Sequence, residues 1–396
     1  MSRDPRCILT THVGSLIRPP DLVAFMRAKL FDEPYDEAAF EACLRDSVDR
    51  VVRQQADIGL NIINDGEFGK SSWFRYVGER LEGFTFRAMP GQKSKGSPSS
   101  GADFERFRAF YEEHNRNREP TGPAGSWVVT GPVAYKGHEA LKRDIDNFKR
   151  ALGQVPAEAG FLPVVAPASA TASLKDEYYG DNEKLLFALA DALHDEYQAI
   201  ADAGLIVQVD DAWLTAMHDH MVPPWTMAQY RTWAELCIEA MNRALKGIPE
   251  SQTRYHICWG SWNGPHTTDV PLKDIVGLVL KVRVGGYLVE GANPRHEHEW
   301  HVWEAAKLPA GRTLIPGVVS HVTNVVEHPE LVAERLVRLA KLVGRENVIG
   351  STDCGFAQSA FYQRVHPSIM WAKLAALTEG ARLATRELWG GRATAA

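Results

Sequence analysis

The residues best equipped for chemistry stand in short clusters separated by long stretches of chain. His256 and Cys258 lie two apart in RYHICWG. On an extended strand, residues i and i+2 project from the same face, so both side chains can reach one metal ion from one strand end. Cys354 sits in GSTDCGF and Glu290 closes YLVE, each just past a run that reads as a strand. Together the four offer one nitrogen, two sulfurs and one oxygen, a set that zinc accepts tetrahedrally. No CxxC pair occurs in the chain, which argues against a zinc finger. Ligands drawn from three separate strand ends suit a catalytic ion better than a structural one.

The donor set also selects a reaction. A free thiol has a pKa near ~8.5, yet the thiolate is the nucleophile. A cation on the sulfur strips its proton. Two thiolates and a carboxylate set three negative ligands against one divalent ion, which leaves a further bound sulfur electron-rich. A three-histidine site would instead favour a metal-bound hydroxide and hydrolysis.

Such ligands need a scaffold. Short apolar runs at 8–13, 61–64, 162–166, 206–210, 255–259, 287–290, 313–316 and 348–351 alternate with stretches of helical periodicity at 36–56, 182–203, 225–245, 328–342 and 367–388. This alternation is the signature of βαβ units around a parallel sheet. Eight such strands predict an α/β fold, a (β/α)8 TIM barrel in one domain over residues 1–396. A ninth strand-like run at 127–130 belongs to an excursion between the second and third strands, with a loop-rich insertion at 71–126. Its Gly/Ser/Lys-rich piece 91–102 reads as a mobile loop. In a barrel of this kind the active site lies at the C-terminal strand ends. The polar residues there are Ser15, Glu67, Asp210, His256, Cys258, Glu290, His321 and Cys354.

Composition narrows the remaining choices. The 396 residues are 45 % hydrophobic and 24 % charged, which is ordinary for a globular chain. The net charge is −6 with scattered basic residues, so neither nucleic acid nor an anionic membrane is an expected partner. No apolar stretch approaches the ~20 residues that span a bilayer, and the N-terminus lacks the apolar core of a signal peptide. Five cysteines, an odd number, point to a reduced, cytoplasmic protein.

Taken in order, THVGS, NDGE, QVDD, HxC, LVEG, IPGVV and STDCG resemble the catalytic barrel of the cobalamin-independent methionine synthases, in their short single-barrel form. The chain is also similar to the epoxyalkane:coenzyme M transferases. The resemblance implies a zinc enzyme that binds a small-molecule thiol and alkylates it from a small-molecule donor. It implies His256, Cys258, Glu290 and Cys354 as metal ligands. His296 and His298 in NPRHEHEWH are alternatives to Glu290, or else a polar helix start. It further implies that Ser15, Glu67 and Asp210 hold the amino-acid part of homocysteine, and that His321 serves as the acid for a methyltetrahydrofolate-type donor. The other reading of His321 is a helix cap or surface histidine, and His12 reads as a satisfied barrel histidine.

One departure from that family stands out. Its pterin-stacking tryptophan is missing, with Ser173 at the matching position. Tyr178 or Tyr179 is a possible replacement, and Trp73, Phe74 and Tyr76 form either an aromatic wall over the donor or part of the core. A second enzymatic reading therefore keeps zinc and thiolate but takes an epoxide or another methyl donor. Paired carboxylates weigh against a sulfonate thiol such as coenzyme M, which they would repel. A barrel that only binds a ligand, or a zinc-free decarboxylase on the same scaffold, would leave the metal-binding set without a purpose.

Overall fold

The computed structural model describes residues 6–94, 100–117, 122–172 and 174–390. Ser173 and much of the 91–102 segment lie outside the described residues. Eight barrel strands follow one another along the chain: β1 (Leu9–Thr10), β2 (Ile62–Ile63), β3 (Ala159–Val165), β4 (Ile206–Asp211), β5 (Thr253–Ile257), β6 (Gly286–Val289), β7 (Thr313–Val319) and β8 (Ile349–Thr352). All pair in parallel, in the order β1-β8-β7-β6-β5-β4-β3-β2. The seam between β1 and β2 is bridged by Asn61. Its N–H donates to the Thr10 carbonyl (3.2 Å) and its Oδ1 accepts from the Thr10 N–H (2.8 Å). Thr11 Oγ1 adds a bond to the Ile62 carbonyl at 2.9 Å. The expected α/β barrel is thus present and nearly closed, and each expected strand run overlaps an observed strand.

The sequence builds these elements for simple reasons. Every residue of β4 (IVQVDD) is buried, as a parallel strand covered on both faces requires. Helix Glu37–Asp57 is capped by the Asp36 carboxylate on the Ala39 N–H, and Asn182–Asp202 by Asp181. Met227–Ala244 opens with a Thr226/Gln229 capping box. Proline begins both Pro329–Val343 and Pro367–Trp389, where its missing N–H costs nothing.

The apolar residues form two shells. A large one joins strands to outer helices. A small one fills the barrel, with Leu9, Ile62, Phe161, Ile206, Leu288, Ile315 and Ile349 among its members. Arg254 is buried in this interior. Its guanidinium lies 3.7 Å over the Phe161 ring and donates to Thr11 Oγ1 (3.1 Å) and the His12 carbonyl (3.2 Å). Burial lowers it to about 9. His12 is held by Gln55 through Nε2 (2.7 Å), and burial lowers it to about 4. It is a neutral interior histidine with a hydrogen-bond partner.

Between β2 and β3 the chain forms an antiparallel hairpin, Leu81–Ser94 with Gly122–Tyr135, joined in parallel by Leu174–Asp176. Short helices Ala102–Arg106 and Arg108–Arg116 lie within it. The run at 127–130 falls in the second hairpin strand. The hairpin is rooted through Arg80, which is buried and donates to Glu196 Oε1 (2.8 Å) and to Asp144. The Tyr76 hydroxyl donates to Glu196 Oε2 (3.0 Å) and accepts from the Val165 N–H (3.2 Å), so Tyr76 is a core residue and not part of a ligand wall. Among the described residues no helix is long and apolar enough to cross a membrane.

The Arg80 cluster yields a stability prediction. Arg80→Met would leave Glu196 buried without its cation, and removing one partner of a buried pair costs about 3–5 kcal/mol. Urea unfolding of variant and parent measures this; coincident curves would show that the cluster does not hold the hairpin to the barrel.

Candidate metal centre

Along β5 and just beyond it, Arg254, His256 and Cys258 share one parity, and all three are buried. Alternation therefore stacks a cation, an imidazole and a thiol on one strand face. Register sets Gln208 opposite Arg254 and Asp210 opposite His256. Cys354 follows β8. The ligand atoms of His256, Cys258 and Cys354 all lie within 4.8 Å of one another. The two Sγ atoms are 3.8 Å apart, and two Zn–S bonds of ~2.3 Å at a tetrahedral angle span about 3.8 Å.

Electrostatics reinforces the geometry. The hydrogen bond between the thiols, together with burial, raises Cys258 well above its ordinary range. That same bond lowers Cys354 to about 7 against the effect of burial, with help from His256. One thiol ionises and the other keeps its proton, because two thiolates this close repel. Burial opposes a charge on His256, but the hydrogen bond and charge of Asp210, with Cys354 and Glu290, raise it to about 9. His256 Nδ1 sits 3.1 Å from Asp210 Oδ1, and Nε2 sits 3.2 Å from the Asp353 carbonyl. A carboxylate behind a histidine is the usual outer support of a metal ligand. A divalent cation removes the conflict between the two thiols, so these residues fit a zinc-type ion.

Glu290 does not join the close group of three. Its Oε1 accepts from the Trp259 N–H and its Oε2 from Asn293 Nδ2, both at 3.3 Å. Burial, with Asp353 and Cys354 nearby, raises its pKa to about 8. The alternatives to it are placed elsewhere. Both ring nitrogens of His296 are engaged, by Glu299 and Asp269 at 2.9 Å each, and its ring stacks on Trp259 with centroids 3.9 Å apart. His298 is exposed in a short 3-10 helix.

Ser15 lies against the Cys354 loop and Asp210 against His256, with Glu67 near Gly14 and within the electrostatic reach of Asp210. A Cβ on Gly355 would fall 2.0 Å from Ser15 Oγ, so Ser15 touches the residue after Cys354. A Cβ on Gly14 would fall 2.8 Å from Glu67 Oε1. Glu67 adopts a left-handed φ of 59°, a strained conformation for a residue with a side chain. Arg18 holds it there, donating to the carbonyls of Glu67 (2.6 Å) and Lys70 (2.8 Å). Burial raises Glu67 to about 8; Lys70 works against the rise and Asp210 adds to it. Asp210 Oδ1 also accepts from Gln208 Nε2 at 2.7 Å.

His321 is neither a surface residue nor a helix cap. It is 1 % exposed, neither ring nitrogen has a partner among the described residues, and burial with nearby Arg364 and His256 keeps the ring neutral. The following helix is capped by His328. Tyr178 is exposed, and the Tyr179 hydroxyl accepts from the Val133 N–H at 3.0 Å. Phe74 does face open space. With Phe84, Phe86, Trp127 and Leu174 it lines a cleft of about 560 Å³ beside the hairpin.

Reading by motif passed over Arg18 and Asp353. Arg18 stands three residues after Ser15 with no motif to mark it. Asp353 stood next to Cys354, and that adjacency was the available signal.

An imidazole and two thiols converging at the mouth of a parallel barrel make this an α/β barrel with a candidate metal centre. The chain belongs to the cobalamin-independent synthase, catalytic domain family, which it matches over residues 8–158 and 170–376. It is 24 % identical over 409 residues to 2-hydroxypropyl-CoM lyase of Xanthobacter autotrophicus, covering 96 % of each chain. It is 24 % identical over 358 residues to methionine synthase of Sulfolobus acidocaldarius, covering 90 % of this chain and 87 % of the relative. The fold matches that of a B12-independent methionine synthase from Shewanella sp. W3-18-1 in complex with selenomethionine, with a TM-score of 0.70, 19 % identity, and 96 % and 99 % of the two chains covered.

The thiol pair makes a pH prediction. In metal-free protein, ultraviolet thiolate absorbance should show an ionisation near pH 7, the thiolate forming above it. Cys258→Ala removes the hydrogen bond and should move that step to higher pH. A titration unchanged by the substitution would refute the shared-proton arrangement.

Proposed function

We propose that this chain is a zinc-dependent transferase that moves a methyl or other small alkyl group onto the sulfur of a small thiol. Homocysteine and a methyltetrahydrofolate-type donor are the leading pair. The convergence of three buried ligand atoms within 4.8 Å carries this reading. His256, Cys258 and Cys354 would hold the zinc, with Glu290 as fourth ligand. Zinc bound there supplies the positive charge that lets a substrate thiol ionise at neutral pH.

The protein's own groups do the rest. Asp210 fixes the orientation of the His256 ring through Nδ1. Glu67 and Asp210 receive an α-ammonium, whose charge returns Glu67 to its ionised form. The Ser15 hydroxyl donates a hydrogen bond to the substrate carboxylate. The thiolate sulfur attacks the alkyl carbon in line and displaces its leaving group. The carbon–leaving-group bond breaks with its electron pair on the leaving atom; the ring N–H of the neutral His321 imidazole donates a hydrogen bond to that atom, and solvent supplies the proton it finally takes. The whole chain acts as one barrel domain with 71–126 as an insertion, and its free cysteines suit a reducing compartment such as the cytoplasm.

The relatives differ in the thiol their names imply, an amino-acid thiol for the methionine synthases and coenzyme M for the lyase. Facing carboxylates at Glu67 and Asp210 favour a thiol bearing an ammonium over one bearing a sulfonate. The electrophile is more open. Tyr178 is exposed and Tyr179 is engaged with the hairpin, which favours a second reading with an epoxide or a different methyl donor.

Metal analysis should find about one zinc per chain, with Cys258→Ser and Cys354→Ser each losing most of it; full occupancy in both variants ends the assignment. A panel of thiols and alkyl donors read by mass spectrometry identifies the pair. Glu67→Gln should raise KM for homocysteine by about tenfold or more, since hydrogen bonds to charged groups contribute about 1.5–3 kcal/mol. It should spare thiols without an ammonium, and an equal effect on both kinds would exclude the ammonium-binding role.

A further inference from the structure

Glu290 and Cys354 leave the barrel from strands that do not touch. The sheet order places β7 between β6 and β8. No ladder bond therefore sets the distance between these two strand ends, although the metal site proposed above needs both. We infer that Asp353 is the positioning residue that fastens the Glu290 strand end to the Cys354 strand end across β7, and so presents Glu290 to the metal. This rests on the metal reading of the site.

Asp353 is 1 % exposed, follows β8 and meets the ends of three other strands, β5, β6 and β7. Its Oδ1 accepts from the N–H groups of Gly291 (2.9 Å) and Ala292 (2.8 Å), the two residues directly after Glu290. Its own N–H donates to the Val319 carbonyl on β7 at 2.9 Å. Its carbonyl lies 3.2 Å from His256 Nε2 beyond β6, on β5. The crossing over β7 is possible because residue 317 is glycine. A Cβ there would fall 2.2 Å from Asp353 Oδ1, 2.6 Å from its Cα and 2.8 Å from its backbone nitrogen. The last two are backbone atoms and cannot swing aside.

One oxygen receiving two successive N–H groups fixes the direction in which the chain leaves β6, and with it the Cα–Cβ vector of Glu290. An asparagine at 353 keeps that oxygen, whereas an alanine does not. A methyl group at 317 pushes the carboxylate away from its two donors. Asp353 need not touch substrate to act in this way; it acts through Glu290 and Cys354.

The test uses Co2+ as the probe metal in the full chain, with Glu290→Gln as the reference for a lost carboxylate ligand. Asp353→Ala and Gly317→Ala should each weaken Co2+ binding about 10–100-fold, the usual effect of losing an outer support. Both should give the ligand-field spectrum of Glu290→Gln. Asp353→Asn should keep the parent spectrum and stay within about threefold of parent affinity, since both hydrogen bonds survive. Hydrogen exchange in the metal-free protein adds a readout independent of any ion: Gly291 and Ala292 amides should exchange faster in Asp353→Ala and as in the parent in Asp353→Asn. Gly317→Ala tests the same contact from the opposite wall should Asp353→Ala fail to fold. Parent-like spectra and amide exchange in the folded alanine variants overturn the assignment, as does an asparagine variant that falls as far as alanine. A parent chain that binds no Co2+ overturns the metal reading and this inference with it, while parent-like exchange in Asp353→Ala overturns the fastening alone.

Discussion

Two thiols 3.8 Å apart and out of water cannot both ionise unless a cation joins them. This one constraint organises the mouth of the barrel. Burial disfavours every charge placed there, and the chain places several: Glu290, Glu67, Asp353 and Asp210 are all buried beside or near the sulfurs. An ordinary core would exclude such a set. Its assembly is intelligible only if a positive group completes it, and within the site the protein offers chiefly His256, raised to about 9 by these same neighbours. A metal ion does the task better, because it binds both sulfurs at once and leaves the imidazole neutral.

The barrel is what makes that density affordable. Parallel strands project alternate residues inward, so one strand supplies Arg254, His256 and Cys258 in rising layers. Beneath the anionic mouth, Arg254 lies across the Phe161 ring, and the charge of Asp210 works against the lowering of its pKa by burial. The apolar layer of Ile62, Ile206, Ile315 and Ile349 surrounds it and keeps water away from the underside of the site. A low-dielectric floor strengthens each polar contact above it. The same floor makes any unpaired charge above it costly, and Asp353 Oδ1 accepts from two backbone N–H groups and Asp210 Oδ1 from Gln208.

Much of this was legible in sequence because it is local. Two-residue spacing on a strand put His256 and Cys258 on one face, and strand-to-loop transitions put Cys354, Glu67 and Asp210 at the mouth. The strands themselves announced their type through apolar runs between helical periods. What escaped was whatever depends on contacts across strands. Glu290 is in the right place by chain position, yet its carboxylate turns to Trp259 and Asn293. His296 looked like a ligand by residue type but is consumed by Asp269 and Glu299. The two-residue edges β1 and β2 were expected longer, because the seam relies on the Asn61 side chain rather than on a full ladder. Tyr76 looked like part of an aromatic wall because no local pattern reports a partner 120 positions away at Glu196.

The chemistry follows from how much negative charge the protein commits. A site of thiolates and carboxylate is a weak acid toward water but leaves an incoming sulfur electron-rich, which is the right bias for attack on carbon. The surrounding residues then decide which sulfur and which carbon. Glu67 is held in a left-handed conformation by Arg18, so its position is enforced by the scaffold and not by a rotamer search. That rigidity suits recognition of one charged group on the thiol. The cleft beside the hairpin is different in kind: Phe74, Phe84, Phe86 and Trp127 give it an apolar lining, and apolar walls discriminate weakly between groups of similar size. On the proposed reading, a fixed and charged thiol side would let one scaffold keep its thiol chemistry while the carbon attacked changes.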